Sequence, residues 1–247
     1  MKVTDILISQ HAPLAASSPY PAIEAAYGVK IEFNPFFVIE PVSSKEFRSQ
    51  RINVLDFSAI VFSSKTAIDA FFHLCEELRV KVPESMKYFC STESVAKYLQ
   101  KYIVYRKRKI FFGSGTADSV ISEIGSKHSG EKFMVATSGA SGNDFTRAFA
   151  NAGLDYTPAM LVKPVSQDIT GLELSKYQLI VLYNSSDVKS LYENFPDYTQ
   201  GDCSFIAFGK SVAAAMKEAG IEAALSAPTP EIPSVAKAIE VFLNSRK

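Results

Sequence analysis

The 247-residue sequence lacks several features that mark particular classes of protein. Its 26 Lys and Arg residues balance 26 Asp and Glu residues, so it has none of the basic excess typical of nucleic-acid-binding proteins. No apolar run approaches the ~18 residues of a membrane span, and the first residues lack the longer apolar core of a signal peptide. We therefore expect a cytoplasmic protein that binds neither nucleic acid nor a membrane.

Cysteine and histidine are scarce and scattered. Cys75, Cys90 and Cys203 lie too far apart for a CxxC redox pair or a zinc set, and their apolar neighbours predict small buried side chains. The three histidines form no metal-ligand pattern, so no metal is predicted. The sequence also lacks GxSxG, HExxH, Walker A and GxGxxG motifs. The segment FGSGTAD, which begins at Phe112, is similar to a phosphate loop but has neither the lysine nor the third glycine, and no cofactor is predicted.

Short apolar runs alternate with helical patterns along the whole chain. This alternation is typical of parallel sheets covered by helices on both faces. The clearest helix follows Ser64, and another spans residues 234–243. The predicted strands span residues 6–9, 29–33, 59–62, 88–90, 109–112, 133–136, 160–162, 179–183, 205–208 and 223–225.

An internal repeat is the most informative feature. SAIVFSSKTAIDAFF, from Ser58, matches QLIVLYNSSDVKSLY, from Gln178, at an offset of 120 residues. YFCSTESVAKYL, from Tyr88, matches FIAFGKSVAAAM, from Phe205, at an offset of 117. We interpret the two halves as copies of one α/β domain. Since open α/β sheets bind ligands at the carboxyl ends of their strands, a ligand cleft between the domains is expected.

Small polar residues open the predicted helices at these strand ends. They serve either as helix caps or as ligands for an anion, because backbone N–H groups at a helix start lack partners. The cluster at residues 106–109, RKRK, has the same two interpretations, anion attraction or a solvated strand entry. We expect Glu93 to be either a proton acceptor or a carboxylate that stabilises a helix start. The candidate substrate-binding residues are Ser63, Ser64, Lys65, Glu93, Ser94, Asn184, Ser185, Gly209, Lys210 and Ser211, with similar turns at residues 91–92 and 137–139.

Four segments carry a family resemblance: IVFSSKTAIDAFF, KYFCSTESVAKYLQKYIVYRKRKIFFG, FIAFGKSVAAAMKEAGI and APTPEIPSVAKAI. In their order and spacing the chain resembles the uroporphyrinogen-III synthases, and ILISQ, RINVLD and YRKRKIFFG resemble a divergent, Bacteroidetes-type branch. The resemblance implies two flavodoxin- or Rossmann-like domains joined by a two-stranded linker. One domain would comprise residues 1–35 plus 166–247, and the other residues 36–165.

The resemblance also implies a reaction. The family closes hydroxymethylbilane into uroporphyrinogen III for haem biosynthesis, losing water and inverting the last pyrrole ring. It uses no cofactor. It suggests a monomer in transient contact with hydroxymethylbilane synthase. A non-catalytic relative that binds a linear tetrapyrrole or another polyanion is the alternative, and a two-domain small-molecule receptor is a third.

The sequence departs from the family pattern at several positions, among them Ser9-Gln10 in place of an arginine and Asn184 in place of a serine. The tyrosine expected on the returning linker, which is the family's candidate for assisting hydroxyl departure, aligns with Val162. Valine cannot donate a proton, so no single catalytic residue is predicted, and Tyr156 and Tyr183 are the nearby alternatives. Two threonine positions at helix starts align with Val95 and Val212, each preceded by a serine.

Overall fold

The computed structural model describes residues 2–14, 18–139 and 144–246. Within these residues the chain forms twelve strands and nine α-helices. The strands are β1 (Asp5–Ile8), β2 (Lys30–Phe33), β3 (Phe37–Pro41), β4 (Ala59–Phe62), β5 (Lys87–Cys90), β6 (Ile110–Phe112), β7 (Phe133–Thr137), β8 (Tyr156–Met160), β9 (Val162–Ser166), β10 (Leu179–Leu182), β11 (Ser204–Phe208) and β12 (Ala223–Ala227). The helices are α1 (Tyr20–Tyr27), α2 (Ser44–Ser49), α3 (Lys65–Glu77), α4 (Glu93–Tyr98), α5 (Ala117–Ile124), α6 (Asp144–Asn151), α7 (Ser185–Asn194), α8 (Lys210–Glu218) and α9 (Val235–Asn244).

The chain divides into two units, each built on a five-stranded parallel sheet. Unit 1 comprises Met1–Val38 and Val165–Lys247, and unit 2 comprises Ile39–Pro164. The strand order is β12-β11-β10-β1-β2 in unit 1 and β6-β5-β4-β7-β8 in unit 2. The two orders correspond strand for strand, and β4 and β5 take the sheet positions of β10 and β11, as the internal repeat predicts. Because all pairings within a sheet are parallel, its strands end along one edge, which we call the carboxyl edge; the opposite edge is the amino edge.

Both faces of each sheet are covered, and the central strands are therefore apolar throughout. Every residue of β4 and β10 is buried. Alternate residues enter different cores: Ile60 and Phe62 pack on one side of the unit 2 sheet, while Val61 packs on the other. Full burial of such side chains contributes about 1.5–3 kcal/mol each. This continuous apolar pattern, rather than alternation, is what a parallel sheet between two helical layers requires.

The two passages of the chain between the units form a separate two-stranded sheet. It pairs β3 with β9. The predicted strand at residues 160–162 was wrong, because β8 ends at Met160 and β9 begins at Val162. Leu161, between them, donates its N–H to the Thr137 carbonyl and accepts from the Val42 N–H. Its two backbone groups thus bond to different segments, which ends one strand and begins the next.

The remaining predicted strands are present, each displaced by at most two residues at either end. Cys75 and Cys90 are buried as predicted, but Cys203 is only half-buried. It lies in the loop before β11, outside the sheet, which explains the difference. In the described parts of the chain, the helices are too short and too polar for any of them to traverse a lipid bilayer.

Candidate functional site

The ten candidate residues lie in four strand-to-helix turns on the carboxyl edges. Two turns belong to unit 2, between β4 and α3 and between β5 and α4. The other two belong to unit 1, between β10 and α7 and between β11 and α8. The fifth turn, at residues 137–139, follows β7, but α6 begins only at Asp144, and residues 140–143 lie outside the described chain.

Capping accounts for some of these polar side chains and not for others. Ser64 caps α3, accepting from the Ala67 N–H at 3.1 Å. Asn184 caps α7, accepting from the Ser186 N–H at 3.0 Å. Thr92, rather than Ser94, caps α4. These hydroxyl and amide groups therefore fix the helix starts.

Three exposed hydroxyls in these turns make no hydrogen bond within the described chain. Among the described residues, the side chains of Ser63, Ser94 and Ser211 have no hydrogen-bond partner, and all three residues are exposed. Ser185 is also exposed, but its hydroxyl donates to the Asn184 side chain at 3.3 Å. Free hydroxyls beside unpaired helical N–H groups can bind a carboxylate without breaking any existing bond.

The charged residues differ between the turns. In unit 2, the Lys65 ammonium lies 5.6 Å from the Tyr98 ring centroid, and Glu93 pairs with Lys97 at 2.9 Å along α4. These four residues and Ser94 line a cavity of about 440 Å³. Glu93 is thus held by a lysine on its own helix. That contact fits a carboxylate at a helix start better than a free proton acceptor.

The start of α8 in unit 1 is shaped by glycine. Gly209 adopts φ 138°, and its N–H donates to the Ala227 carbonyl at 2.6 Å. A Cβ at this position would lie 3.5 Å from the Tyr183 carbonyl oxygen. A side chain is disfavoured here mainly by the backbone angle, since L-residues rarely adopt such φ values. Gly209 offers no side-chain cap, so no cap side chain accepts from the first N–H groups of α8.

Asp187 is a polar residue of the unit 1 edge that the sequence analysis missed. It is fully buried at the third position of α7. Its Oδ2 accepts from the Ser9 hydroxyl at 2.8 Å, from the Tyr183 N–H at 2.8 Å and from the Asn184 N–H at 2.9 Å. Burial raises the pKa of this carboxyl group. The capping-box spacing from Asn184 to Asp187 is the signal that could have identified it.

The Asp187 side chain is satisfied on one oxygen only. Among the described residues, Oδ1 is the buried side-chain atom without a hydrogen-bond partner. A buried polar atom without a partner is destabilising by about 1–3 kcal/mol. Asp187 therefore joins the end of β1 to the start of α7, although its unpartnered Oδ1 destabilises the fold.

Val162 has no group that could take part in proton transfer. It is 3% exposed and packs in the unit 2 core. Of the two alternative tyrosines, Tyr156 begins β8 and lies at the amino edge, where it packs against Phe149. Tyr183 follows β10 directly and lies at the carboxyl edge. Only Tyr183 thus shares an edge with the candidate residues.

The glycine-rich FGSGTAD turn is folded on itself. The Ser114 N–H donates to the Ser119 hydroxyl at 2.9 Å, and a Cβ on Gly113 would lie 2.2 Å from that oxygen. The Ser114 N–H is already used in a hydrogen bond within the turn, which disfavours a phosphate site. In residues 2–14, 18–139 and 144–246, no three His, Cys, Asp or Glu side chains are grouped to hold a metal ion.

The two five-stranded parallel sheets, each with polar helix starts along its carboxyl edge, define a two-unit α/β protein. The HEM4 family model, whose description is uroporphyrinogen-III synthase HemD, matches residues 21–237. The chain therefore belongs to the uroporphyrinogen-III synthase family, which acts in porphyrin and haem biosynthesis. The activity of this family is that of a cyclising lyase.

Solved structures of that family share the fold. The chain is similar to uroporphyrinogen-III synthetase from Helicobacter pylori, with 16% identity, a TM-score of 0.56, and 98% and 100% of the two chains covered. It is also similar to a mutant uroporphyrinogen III synthase from Thermus thermophilus, with 15% identity, a TM-score of 0.52, and 98% and 99% covered. No curated protein sequence matches the chain.

Proposed function

We propose that this chain is an active uroporphyrinogen-III synthase that closes hydroxymethylbilane with inversion of the last pyrrole ring and loss of water. The supporting observation is the repeated set of helix starts on the carboxyl edges of both units. A linear tetrapyrrole carries acetate and propionate groups along its length. A protein that binds such a molecule needs N–H and O–H donors at several separate places, rather than one concentrated site.

The donors divide into two groups with different roles. Ser64 and Asn184 orient the first turns of α3 and α7, so that the backbone N–H groups there point outward. Ser63, Ser94 and Ser211 add hydroxyls that are not already bonded within the described chain. Lys65 and Lys210 supply positive charge. These residues hold and fold the substrate, and positioning of this kind accounts for much of the catalysis that the ring closure requires.

Departure of the substrate hydroxyl leaves a reactive azafulvene cation. Attack at the substituted carbon of the last ring then gives a spiro intermediate, whose fragmentation and reclosure invert that ring. The chain has no proton donor at Val162, so we assign no essential acid there. Binding many carboxylates lets the enzyme control which carbon attacks. The intrinsic reactivity of the substrate accounts for the bond-forming steps themselves.

The second candidate is a relative that binds a linear tetrapyrrole or another polyanion without steering its closure. The burial of Val162 in the unit 2 core favours this candidate, because this position then offers no proton donor to the leaving hydroxyl. Both candidates predict polyanion binding, and only the first predicts isomer III.

A coupled assay separates the two candidates. Hydroxymethylbilane is generated in place by hydroxymethylbilane synthase, this protein is added, and the oxidised products are resolved into isomers I and III. We expect an excess of isomer III over the mixture formed without this protein. Isomer I alone, from protein shown to be folded by circular dichroism, would contradict the proposed activity and favour the second candidate.

A matched pair of variants tests the role of the carboxyl edges. The triple variant S63A/S94A/S211A removes only hydroxyls without partners in the described chain, so we expect it to fold normally and to form isomer III more slowly. The control is Ser175→Ala, at the amino edge of unit 1 before β10. Equal rates for the triple variant and the control would contradict the binding role of these hydroxyls.

A further inference from the structure

Four aromatic residues lie together at the carboxyl edge of unit 1. Phe33 ends β2, Phe208 ends β11, Tyr183 follows β10, and Tyr20 opens α1. All four are half-buried, and they pack against the same core cluster. We call these four residues the aromatic edge.

The rings of the aromatic edge form a connected row. The Tyr20 and Phe33 centroids lie 5.0 Å apart, and the Tyr183 and Phe208 centroids lie 5.5 Å apart. The side chains of Tyr20 and Tyr183 interact electrostatically, so the two pairs adjoin. Burial raises the pKa of Tyr183, so its hydroxyl remains protonated and able to donate at neutral pH. The row therefore combines partly exposed rings with polar hydroxyl groups.

Comparison of the two copies shows that the fold does not require these rings. In the repeat, Tyr183 aligns with Ser63 and Phe208 aligns with Ser91. In unit 2 the Ser91 hydroxyl donates to the Ser63 carbonyl at 3.1 Å. The same strand-to-helix turns thus fold with small polar residues in unit 2 and with aromatic residues in unit 1. The difference lies at the edge where α/β sheets bind ligands.

Positive electrostatic features adjoin the rings. Tyr183 immediately precedes Asn184 at the start of α7, a helix of 10 residues. Phe208 immediately precedes Gly209 at the start of α8, a helix of 9 residues, with Lys210 as its first residue. The surface therefore matches a flat ring system that bears carboxylates, since rings stack on the aromatic residues and carboxylates bind the helix starts.

We propose that the aromatic edge stacks pyrrole rings of a polycarboxylated tetrapyrrole, while the starts of α7 and α8 bind its carboxylates. In unit 2, serines take the places of Tyr183 and Phe208, and the helix starts there bind carboxylates without a ring at those two positions. The two copies thus differ at these two positions, where unit 1 offers a ring and unit 2 a hydroxyl. This assignment rests on the proposed function for the class of ligand.

Binding of uroporphyrin I, a stable polycarboxylated tetrapyrrole, tests the assignment through the shift of its main absorption band on titration. We expect Tyr183→Ser and Phe208→Ser, which install the unit 2 residues, each to weaken affinity about tenfold, the scale of one ring stacking on an aromatic side chain. Phe208→Leu keeps an apolar side chain against the core and loses the flat face. It serves as the second variant should Phe208→Ser fail to fold, and we expect a similar loss of affinity.

The control is Tyr198→Ser, which removes a half-buried ring near the amino edge of the same unit. Tyr198 packs against Phe205 and lines a separate cavity of about 850 Å³. We expect this variant to bind uroporphyrin I as the wild type does. Loss of affinity in Tyr198→Ser with none in Phe208→Leu would place the ligand in that cavity and overturn the assignment. Absence of binding by the wild type would overturn it as well.

The isomer assay on the same variants separates this assignment from the proposed function. Wild-type protein that forms isomer III, with Tyr183→Ser and Phe208→Leu unchanged in both affinity and rate, would leave the function standing and refute the aromatic edge. Wild-type protein that forms no isomer III but shows the expected loss of affinity in both variants would refute the function and retain the edge as a binding surface.

Discussion

Replacement of Asp187 should destabilise the carboxyl edge of unit 1. In Asp187→Ala, the Ser9 hydroxyl and the N–H groups of Tyr183 and Asn184 all lose their acceptor. At about 1 kcal/mol for each donor this loss is about 3 kcal/mol, while removal of the unpartnered Oδ1 returns about 1 kcal/mol, so the expected decrease in the free energy of unfolding is about 2 kcal/mol. The corresponding position in unit 2 is Ala67, so alanine is compatible with the helix itself.

Asp187→Asn should have a smaller effect. Its amide oxygen can take the place of Oδ2 and keep the three donors satisfied. Its NH₂ group then takes the place of Oδ1, for which the described residues offer no partner. Because the wild type already carries an unpartnered atom at that place, we expect a decrease of about 1 kcal/mol in the free energy of unfolding, less than that for alanine.

The pH dependence of the stability difference between the wild type and Asp187→Asn tests this reasoning more sharply. Burial raises the pKa of Asp187 in the folded state, so the folded protein favours the protonated form. Its contribution to stability is therefore full below the unfolded pKa of about 3.9 and is lost as pH rises through the folded value. Asparagine does not titrate. The stability difference between the wild type and Asp187→Asn should thus be largest near pH 4 and should shrink towards pH 8.

Hydrogen–deuterium exchange, resolved on peptides, measures this effect in unit 1 alone. Amides of α7 in Asp187→Ala should exchange about thirtyfold faster than in the wild type, since about 1.4 kcal/mol corresponds to a factor of ten. The α3 peptide, which begins at the corresponding turn of unit 2, is the internal control and should be unchanged. A difference between the wild type and Asp187→Asn that grows with pH would refute the reasoning, because it would mean that the fold stabilises the charged carboxylate.

Two further predictions concern charge pairing and the helix starts. Lys176, at 2.6 Å, and other donors lower the pKa of Glu32 from 4.5 to about 2. Solvent screens part of this pairing, so Glu32→Gln should lower the free energy of unfolding by about 2 kcal/mol at pH 7. Urea denaturation should show that difference vanishing as the pH falls from about 4.5 to about 2, and a constant difference would contradict it. In the isomer assay, Ser64→Ala and Ser211→Ala should each slow isomer III formation by less than about a hundredfold, because backbone N–H groups remain. Ser64→Ala should also lower stability by about 1 kcal/mol through loss of the α3 cap. Complete loss of activity in either folded variant would contradict distributed binding.

The predictability of the site differs between its parts. The helix starts could be read from the sequence because capping is local: Ser64 and Asn184 each bond to a residue two or three positions later. Whether the ten candidate residues bind substrate stays a prediction. The strand at 160–162 was predicted wrongly because its end depends on the hydrogen bonds of Leu161 to Val42 and Thr137, which are distant in sequence.

The sequence by itself determined the α/β class, the repeat and the family, because each of these depends on short-range periodicity and on the order of segments. Only the tertiary structure decided which side chains meet at the carboxyl edge of unit 1. The Asp187 carboxyl is buried against Ser9, which lies 178 residues away. The aromatic edge combines the ends of β2, β10 and β11 with the start of α1, elements that only the sheet order brings together. Local patterns fix where strands end, but the side chains that meet there are selected by strand pairing over the whole chain.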